Sequence, residues 1–276
     1  MLGKLLGYEM KAYGRILVPI YIALIALAAI LGISFKLLPE KTTLSVIFAF
    51  ALIVYILLLV AVGAVTTILG ISRYYNNMLG REGYLMFSLP VRTSTLMTAK
   101  TLAALIWTIF GAIVGFAAIA TTFVLGKFTN ADYAQLGEVF EMLFKFIKPY
   151  TGHIILWIGI MILAVLVIIV RVYAAVSIGS QWSSHRLVGS ILAYIGIKLV
   201  EVIIANIFQA IDPVREWFDN LLAKSTEVSS FMSTTVSTTG LGSWALQLVV
   251  LAIILIEIIV YWLLAWYFTD RKLNLA

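Results

Sequence analysis

The chain has 276 residues, of which 63% are hydrophobic and only 12% are charged. About six stretches stay apolar over the roughly 20 residues that a helix needs to cross a hydrocarbon core about 30 Å thick. Six spans and their connections leave no room for a sizeable soluble domain within these residues, and the lack of cysteine excludes a disulfide framework and a thiolate metal or redox site. In a soluble protein the formal charge of +6 would suggest a nucleic-acid partner, but the positions of these charges favour another explanation.

Residues 1–15 predict a short amphipathic helix on the membrane surface. An apolar stripe and a mostly basic stripe follow helical spacing and are offset by about 200°, so they occupy opposite faces. The stripes consist of Leu2, Leu6, Met10 and Tyr13 on one face and of Lys4, Tyr8, Lys11 and Arg15 on the other. Such a helix anchors the chain at the interface, and transmission of motion to the first span is the alternative role.

Six membrane spans are predicted to follow this helix. The spans cover about 16–36, 44–71, 96–125, 153–178, 187–211 and 244–269. The first run contains Ala26 and Ala28 at the spacing of a signal-peptide cleavage site, but it is long for such a signal and follows a polar segment. We therefore expect a retained helix.

The distribution of Lys and Arg predicts the orientation. Six spans put both termini on one side, and that side then holds 11 of the 19 basic residues, with seven on the other side and Lys198 within a span. We expect a multi-pass plasma-membrane protein with both termini in the cytoplasm, segment 72–95 inside, and segments 126–152 and 209–243 outside. The basic balance then reflects topology and contact with anionic membrane lipid, and no nucleic-acid partner is expected.

Lys198, Glu201 and Glu257 are the charged residues that we predict to lie within the membrane. Lys198 and Glu201 are spaced i, i+3, so they can pair on one helix face. A charge at the bilayer centre costs about 2.5–3.5 kcal/mol on insertion scales, so these residues are expected to face protein or water. An internal pair, a cavity wall and a dimer contact all remain open, and Glu257 has no partner nearby in sequence.

Other features of the spans are less specific. Arg171, His185 and Arg186 flank the short turn between spans four and five, which predicts anchors at the inner face. Gly111 and Gly115 form a G-x-x-x-G pattern that favours close helix packing. In the outer segment 209–243, an apolar face at helical spacing predicts a short external helix; it consists of Trp217, Phe218, Leu221 and Leu222.

The inner segment 72–95 combines charged and aromatic residues, which is unusual for a simple linker. We expect a short helix ended by Pro90, with Thr93 or Ser94 capping the next span. A helix of this kind suits docking into a groove of a partner protein. The alternative is an interfacial elbow that only turns the chain.

This segment resembles a known family. The run Glu82-Gly83-Tyr84-Leu85, then Leu89-Pro90-Val91, then Lys100 and Trp107, is similar to the region between spans two and three of bacterial ABC-2 type permeases. Small permeases that accompany antimicrobial-peptide export or immunity ATPases in Gram-positive bacteria form the most similar branch. The terminal Lys272-Leu273-Asn274-Leu275 also looks like the end of such permeases.

The resemblance implies a type V exporter-like transmembrane domain whose inner segment docks on a cytoplasmic ATPase. The residues that it implies for this contact are Arg81, Glu82, Gly83, Tyr84, Leu85, Leu89 and Pro90. The N-terminal amphipathic helix would correspond to the family's connecting helix. A second permease chain, identical or related, is implied because two nucleotide sites require paired ATPases.

The sequence has no G-x-x-x-x-G-K-[ST] phosphate loop, so a permease would depend on ATP and Mg bound by a separate ATPase subunit, with no cofactor on this chain. The expected cargo is amphipathic: a peptide antibiotic, a lipid or a drug. A membrane enzyme is disfavoured because no H-E-x-x-H or G-x-S-x-G motif is present, and we predict neither catalytic residues nor a metal site. A gradient-driven transporter and a non-transporting scaffold or sensor are the remaining alternatives.

Overall fold

A computed structural model describes most of the chain. The described residues are 2–37, 42–80, 83, 91–127, 141, 144–145, 148, 151–182, 186–226 and 240–271. Within these ranges the regular structure is helical, without strands.

Seven α-helices and one π-helical turn make up the described fold. The helices are α1 (Leu2–Leu37), α2 (Thr42–Tyr74), α3 (Thr93–Lys127), α4 (Thr151–Gly179), α5 (Arg186–Ala210), α6 (Asp212–Thr226) and α7 (Gly240–Arg271). The π-helical turn, Tyr75–Leu79, directly follows α2. Six of these helices, all except α6, are long and apolar enough to cross a membrane. This confirms the prediction of an all-helical chain with six potential spans, while the side on which the termini lie stays a prediction.

The chain divides into two compact units. The first comprises Met1–Tyr74 and Leu89–Lys148, and therefore contains α1, α2 and α3. The second comprises Tyr75–Ser88 and Pro149–Ala276, and contains the π-helical turn together with α4 to α7. The polypeptide thus leaves the first unit after Tyr74, contributes a short segment to the second, and returns before α3.

In the first unit, α1 packs most extensively against α3. Its buried stripe recurs every three or four residues, as expected for one packed face of a helix. The stripe consists of Glu9, Tyr13, Leu17, Tyr21, Leu24, Ala28 and Leu31. Close approach continues at the far end, where the Thr122 hydroxyl donates to the Ala28 carbonyl over 3.3 Å.

The two glycines of the predicted G-x-x-x-G pattern contact different helices. A Cβ at Gly111 would lie 2.8 Å from the Tyr21 hydroxyl oxygen on α1. A Cβ at Gly115 would make only ordinary contact with Leu59 of α2, at 3.6 Å. Gly111 therefore permits the close α1–α3 packing, whereas the position of Gly115 has room for a methyl group.

The predicted boundary between a surface helix and the first span is absent, because α1 runs unbroken from Leu2 to Leu37 and contains Pro19. Tyr13 is buried and Gly14 lies against the Trp107 ring, so α1 packs against α3 across the predicted boundary. At 1.5 Å per residue, a helix of this length measures roughly 54 Å, well beyond a hydrocarbon core of about 30 Å.

The second predicted span is also longer than expected. The prediction ended this span at residue 71, but α2 continues to Tyr74 and the π-helical turn carries helical structure to Leu79. The polar residues Arg73, Asn76 and Asn77 had placed the end of the predicted span before them. Tyr74 and Leu79 are buried, and this burial keeps the segment helical.

In the second unit, α4 packs on both α5 and α7. The turn between α4 and α5 is tight because Gly179 and Gly189 let the two backbones touch. A Cβ at Gly179 would lie 2.1 Å from the Ser190 nitrogen, and one at Gly189 would lie 2.8 Å from the Gly179 carbonyl oxygen. Real side chains cannot occupy such positions without moving the backbone.

The short helix expected in the outer segment is present as α6. The Ile211 carbonyl begins it by accepting hydrogen bonds from the Val214 and Arg215 amides at 2.9 and 3.0 Å. Trp217 of the predicted apolar face is half exposed, while the side chains of Phe218, Leu221 and Leu222 lie outside the described set. Most of segment 126–152 also falls outside the described residues.

Replacement of Gly179 tests the tight α4–α5 turn. Gly179→Ala should lower the free energy of unfolding by about 1–3 kcal/mol, because the added methyl overlaps backbone atoms of Ser190. Gly159→Ala on the same helix is the matched control, since nothing lies within 4 Å of its Cβ position. This control should be neutral or stabilising by up to about 1 kcal/mol. Thermal unfolding in detergent measures both, and equal melting temperatures would contradict the close contact.

Candidate functional site

The first polar cluster joins the three helices of the first unit through Glu9. One carboxylate oxygen of Glu9 lies 2.6 Å from Lys100 Nζ of α3, and the other lies 2.9 Å from Arg73 Nε of α2. The Glu9 and Lys100 side chains are only 8% and 3% exposed. The Arg73 guanidinium also lies over the Tyr13 ring, 5.4 Å from its centre, at a distance suited to a cation–π contact.

The position of this cluster along the helices relates it to segment 75–92. Arg73 is the penultimate residue of α2, and Lys100 lies in the second turn of α3. Glu9 therefore contacts both helices that flank the segment. It lies about 28 residues, or roughly 42 Å, from the opposite end of α1, which exceeds the thickness of a hydrocarbon core of about 30 Å.

The second polar cluster is centred on Arg171 of α4. Arg171 Nε lies 2.8 Å from a carboxylate oxygen of Glu201 on α5, and its Nη2 lies 3.2 Å from a carboxylate oxygen of Glu257 on α7. Lys198 Nζ contacts the second oxygen of Glu201 at 2.8 Å. Tyr261 of α7 donates its hydroxyl to Glu201, and its ring faces the Arg171 guanidinium at 5.3 Å.

This Arg171 cluster lies inside its helices, at least two turns from the nearest helix end. Glu201 is about 15 residues from the start of α5 and Glu257 about 14 from the end of α7, distances of roughly 21–22 Å along each helix. Two cations and two anions balance formally, as charges in an apolar medium require. Lys198 and Glu257 nonetheless keep 43% and 32% of their side chains exposed. These exposed portions need water or a polar neighbour at this depth.

The Arg171 cluster also marks the end of the packed part of α5. Before Glu201 this helix has partly buried residues every three or four positions, whereas every residue from Val202 to Ile211 is exposed. The main packing partners of α5 are α4 and α6. Glu201 provides a polar contact to Tyr261 of α7.

Two further polar contacts join α4 to α7 near their ends. His153 Nδ1 lies 3.1 Å from the side-chain oxygen of Gln247, and the His153 ring packs against the Trp244 ring at a tilt of 38°, with centres 4.0 Å apart. At the other end, the hydroxyls of Ser177 and Thr269 are 3.0 Å apart and buried. No three His, Asp or Glu side chains of the described residues gather in a way that could hold a metal ion.

Most of the residues predicted to contact an ATPase lie outside the described set: Arg81, Glu82, Tyr84, Leu85, Leu89 and Pro90. Gly83 is described and buried, and its amide donates to the Gly80 carbonyl over 2.9 Å. The Leu79 carbonyl accepts a hydrogen bond from Arg186 Nη1 of α5 at 3.4 Å. The start of the segment is therefore attached to α5 within the second unit.

The N-terminal residues lie on the faces expected from their spacing. Lys4, Lys11 and Arg15 are exposed, whereas Leu2, Leu6 and Met10 are half-buried. The two stripes thus lie on different sides of α1, although the helix is continuous with the first span.

One of the charged residues lies elsewhere than expected. Arg171 was expected at the inner turn, but it is buried within α4, eight positions before Gly179. The reason is that two carboxylates from neighbouring helices compensate its charge. Glu257 pairs with this arginine, and the structure brings Lys198 and Glu201 together as their spacing suggested.

Sequence reasoning missed Glu9, Arg73 and Tyr261 as members of polar clusters. A signal for Glu9 did exist, because it begins the three-or-four spacing that continues through Tyr13 and Leu17. No comparable local pattern indicates Arg73 or Tyr261, whose partners lie 64 and 60 positions away in sequence.

Comparison with known proteins does not identify the chain: no family model matches it, and no curated protein or solved structure matches it significantly.

Substitution of Glu9 tests the first cluster. Glu9→Gln should destabilise the protein by about 3–5 kcal/mol, because it leaves the buried Lys100 without the carboxylate that compensates it. Glu141→Gln is the control, since it removes an exposed pair with Lys145 worth at most about 1 kcal/mol. Lys100→Met in the Glu9→Gln background should recover part of the loss. Additive effects in this double-mutant cycle would show that the two side chains do not interact.

Comparison of two cations tests the second cluster. Arg171→Met removes the contact shared by Glu201 and Glu257, whereas Lys198→Met leaves Arg171 in place beside Glu201. We expect the arginine variant to lose several-fold more folded protein in a detergent thermal-stability assay, because Glu257 loses its cation and Glu201 loses one of its two in an apolar environment. Equal losses would mean that Arg171 does not have the central role.

Proposed function

We propose that this chain is the permease subunit of an ABC transporter that exports an amphipathic substrate with energy from a separate ATPase. Six helices able to cross a membrane, together with the resemblance around Glu82–Val91, support a transport role. On this proposal both termini lie in the cytoplasm and a second permease chain completes the transporter. ATP and Mg bind to the ATPase partner rather than to this chain.

The main support for this proposal is the path of the chain between α2 and α3. Tyr75–Ser88 groups with the second unit, whereas α2 and α3 on either side belong to the first. On the first side, Arg73 and Lys100 contact Glu9; on the second side, the Leu79 carbonyl accepts from Arg186. A partner that pulls or pushes on this segment therefore acts on both units. Such a connection suits a segment that transmits the movement of an ATPase.

A second candidate is a gradient-driven transporter, which the Arg171 cluster favours. Ionisable groups deep within spans often mark ion or proton pathways. Against a proton relay, both acids of this cluster already contact cations. Transport by the chain alone, in vesicles with a pH gradient and no ATPase, would support this alternative.

Co-purification tests the permease proposal. The tagged chain would be expressed together with the genes beside its own, purified in detergent, and assayed for ATP hydrolysis. We expect a stoichiometric ATPase whose turnover depends on this chain. Glu82→Lys with Tyr84→Ala should lower its recovery at least about 10-fold, because a centrally placed anchor contributes about 2 kcal/mol or more.

A matched double variant controls for the loss of an acid and an aromatic side chain. Glu216→Lys with Trp217→Ala changes the same residue types on α6, where both are exposed. It should leave ATPase recovery unchanged. Recovery of the chain without any ATPase, or equal losses in both double variants, would contradict docking through this segment.

A further inference from the structure

One exposed stripe of α1 changes from cationic to aliphatic along its length. The residues of this stripe alternate in spacing between four and three, so they follow a single face of the helix. They are Lys4, Tyr8, Lys11, Arg15, Val18, Ile22 and Ile25, and each is exposed. The change falls between Arg15 and Val18. On a helix that enters a membrane, this is where the headgroup layer meets hydrocarbon.

Among the residues that the structure describes, no carboxylate pairs with the cationic half of the stripe. The acid of this part of α1 is Glu9, which is buried on another face and already contacts Arg73 and Lys100. The exposed cations are therefore available to an external anion. Tyr8, which is 73% exposed, adds a hydroxyl and an aromatic ring of the kind enriched at membrane interfaces.

We propose that Lys11 and Arg15 bind the phosphate headgroup of an anionic phospholipid whose acyl chains lie along Val18, Ile22 and Ile25. An acidic protein would satisfy the cations but not the aliphatic residues that continue the same face. A phospholipid satisfies both, since its phosphate is joined to hydrocarbon chains. The continuity of the face therefore favours lipid over protein.

Distances along α1 separate the headgroup ligands from the rest of the basic stripe. Arg15 lies about 4.5 Å and Lys11 about 10 Å from Val18 at 1.5 Å per residue, whereas Lys4 lies about 21 Å away. A headgroup layer is roughly 5–8 Å thick on each side of the hydrocarbon core. Long basic side chains extend further toward the interface. Lys11 and Arg15 therefore reach the phosphates, and Lys4 lies beyond them.

This inference does not depend on an ATPase partner, so it is tested on the purified chain alone. Native mass spectrometry would compare retention of phosphatidylglycerol and of phosphatidylcholine with the same acyl chains. We expect the unaltered chain to retain phosphatidylglycerol preferentially. Lys11→Gln with Arg15→Gln should reduce this preference about 25-fold, or about 5-fold per cation.

Lys4→Gln is the matched control, because it removes the same charge from the same stripe. It should change the preference by less than about 2-fold, since surface attraction falls off within a Debye length of about 8 Å. Arg15→Lys should keep most of the binding, and unaltered melting temperatures would show that the variants fold. Equal losses for the control and the double variant would overturn the site in favour of diffuse attraction. Equal retention of both lipids by the unaltered chain would also overturn it, as would lipid retention unchanged by the double substitution.

Discussion

Charged side chains within apolar helices constrain the structure most strongly, because an ion without a partner is costly in a medium of low dielectric constant. In the first unit, Glu9 meets two cations, one from α2 and one from α3. In the second, Arg171 meets two carboxylates, one from α5 and one from α7. Each arrangement joins three helices around one ion. A rotation that carried Glu9 or Arg171 away would separate that ion from both of its partners, so these contacts select how the helices face one another.

Packing of aliphatic side chains cannot by itself determine which helix faces meet. In lipid there is little hydrophobic force between helices, so small residues and polar contacts decide which faces meet. The contrast between α1 and α5 illustrates this. α1 has a continuous buried stripe and a close approach at Gly111 of α3. α5 has partly buried residues only up to Glu201, where that residue makes a polar contact with Tyr261 of α7.

The features that the sequence predicts correctly are those that depend on residues close together in the chain. Long apolar segments predicted the six potential spans because hydropathy depends on composition alone. The Lys198–Glu201 contact could also be anticipated, since both residues lie on one helix. The partners of Glu9 and Arg171 could not, because they come from other helices and depend on helix rotation. The end of α2 was predicted too early for a related reason. Burial of Tyr74 and Leu79 keeps a polar stretch helical, and local composition does not show that burial.

The most consequential of these helix ends is the one after Tyr74. There α2 changes to a π-helical turn, and at the same residue the chain passes from the first unit to the second. A π-turn departs from regular i→i−4 hydrogen bonding and often occurs at functional positions. Arg73 is held by Glu9 on one side of this change, and the Leu79 carbonyl accepts from Arg186 on the other. Arg73 and Leu79 are only six positions apart, and the backbone between them is helical. Under the proposed function, the segment that begins here would be attached to the first unit through Arg73 and to the second through Leu79.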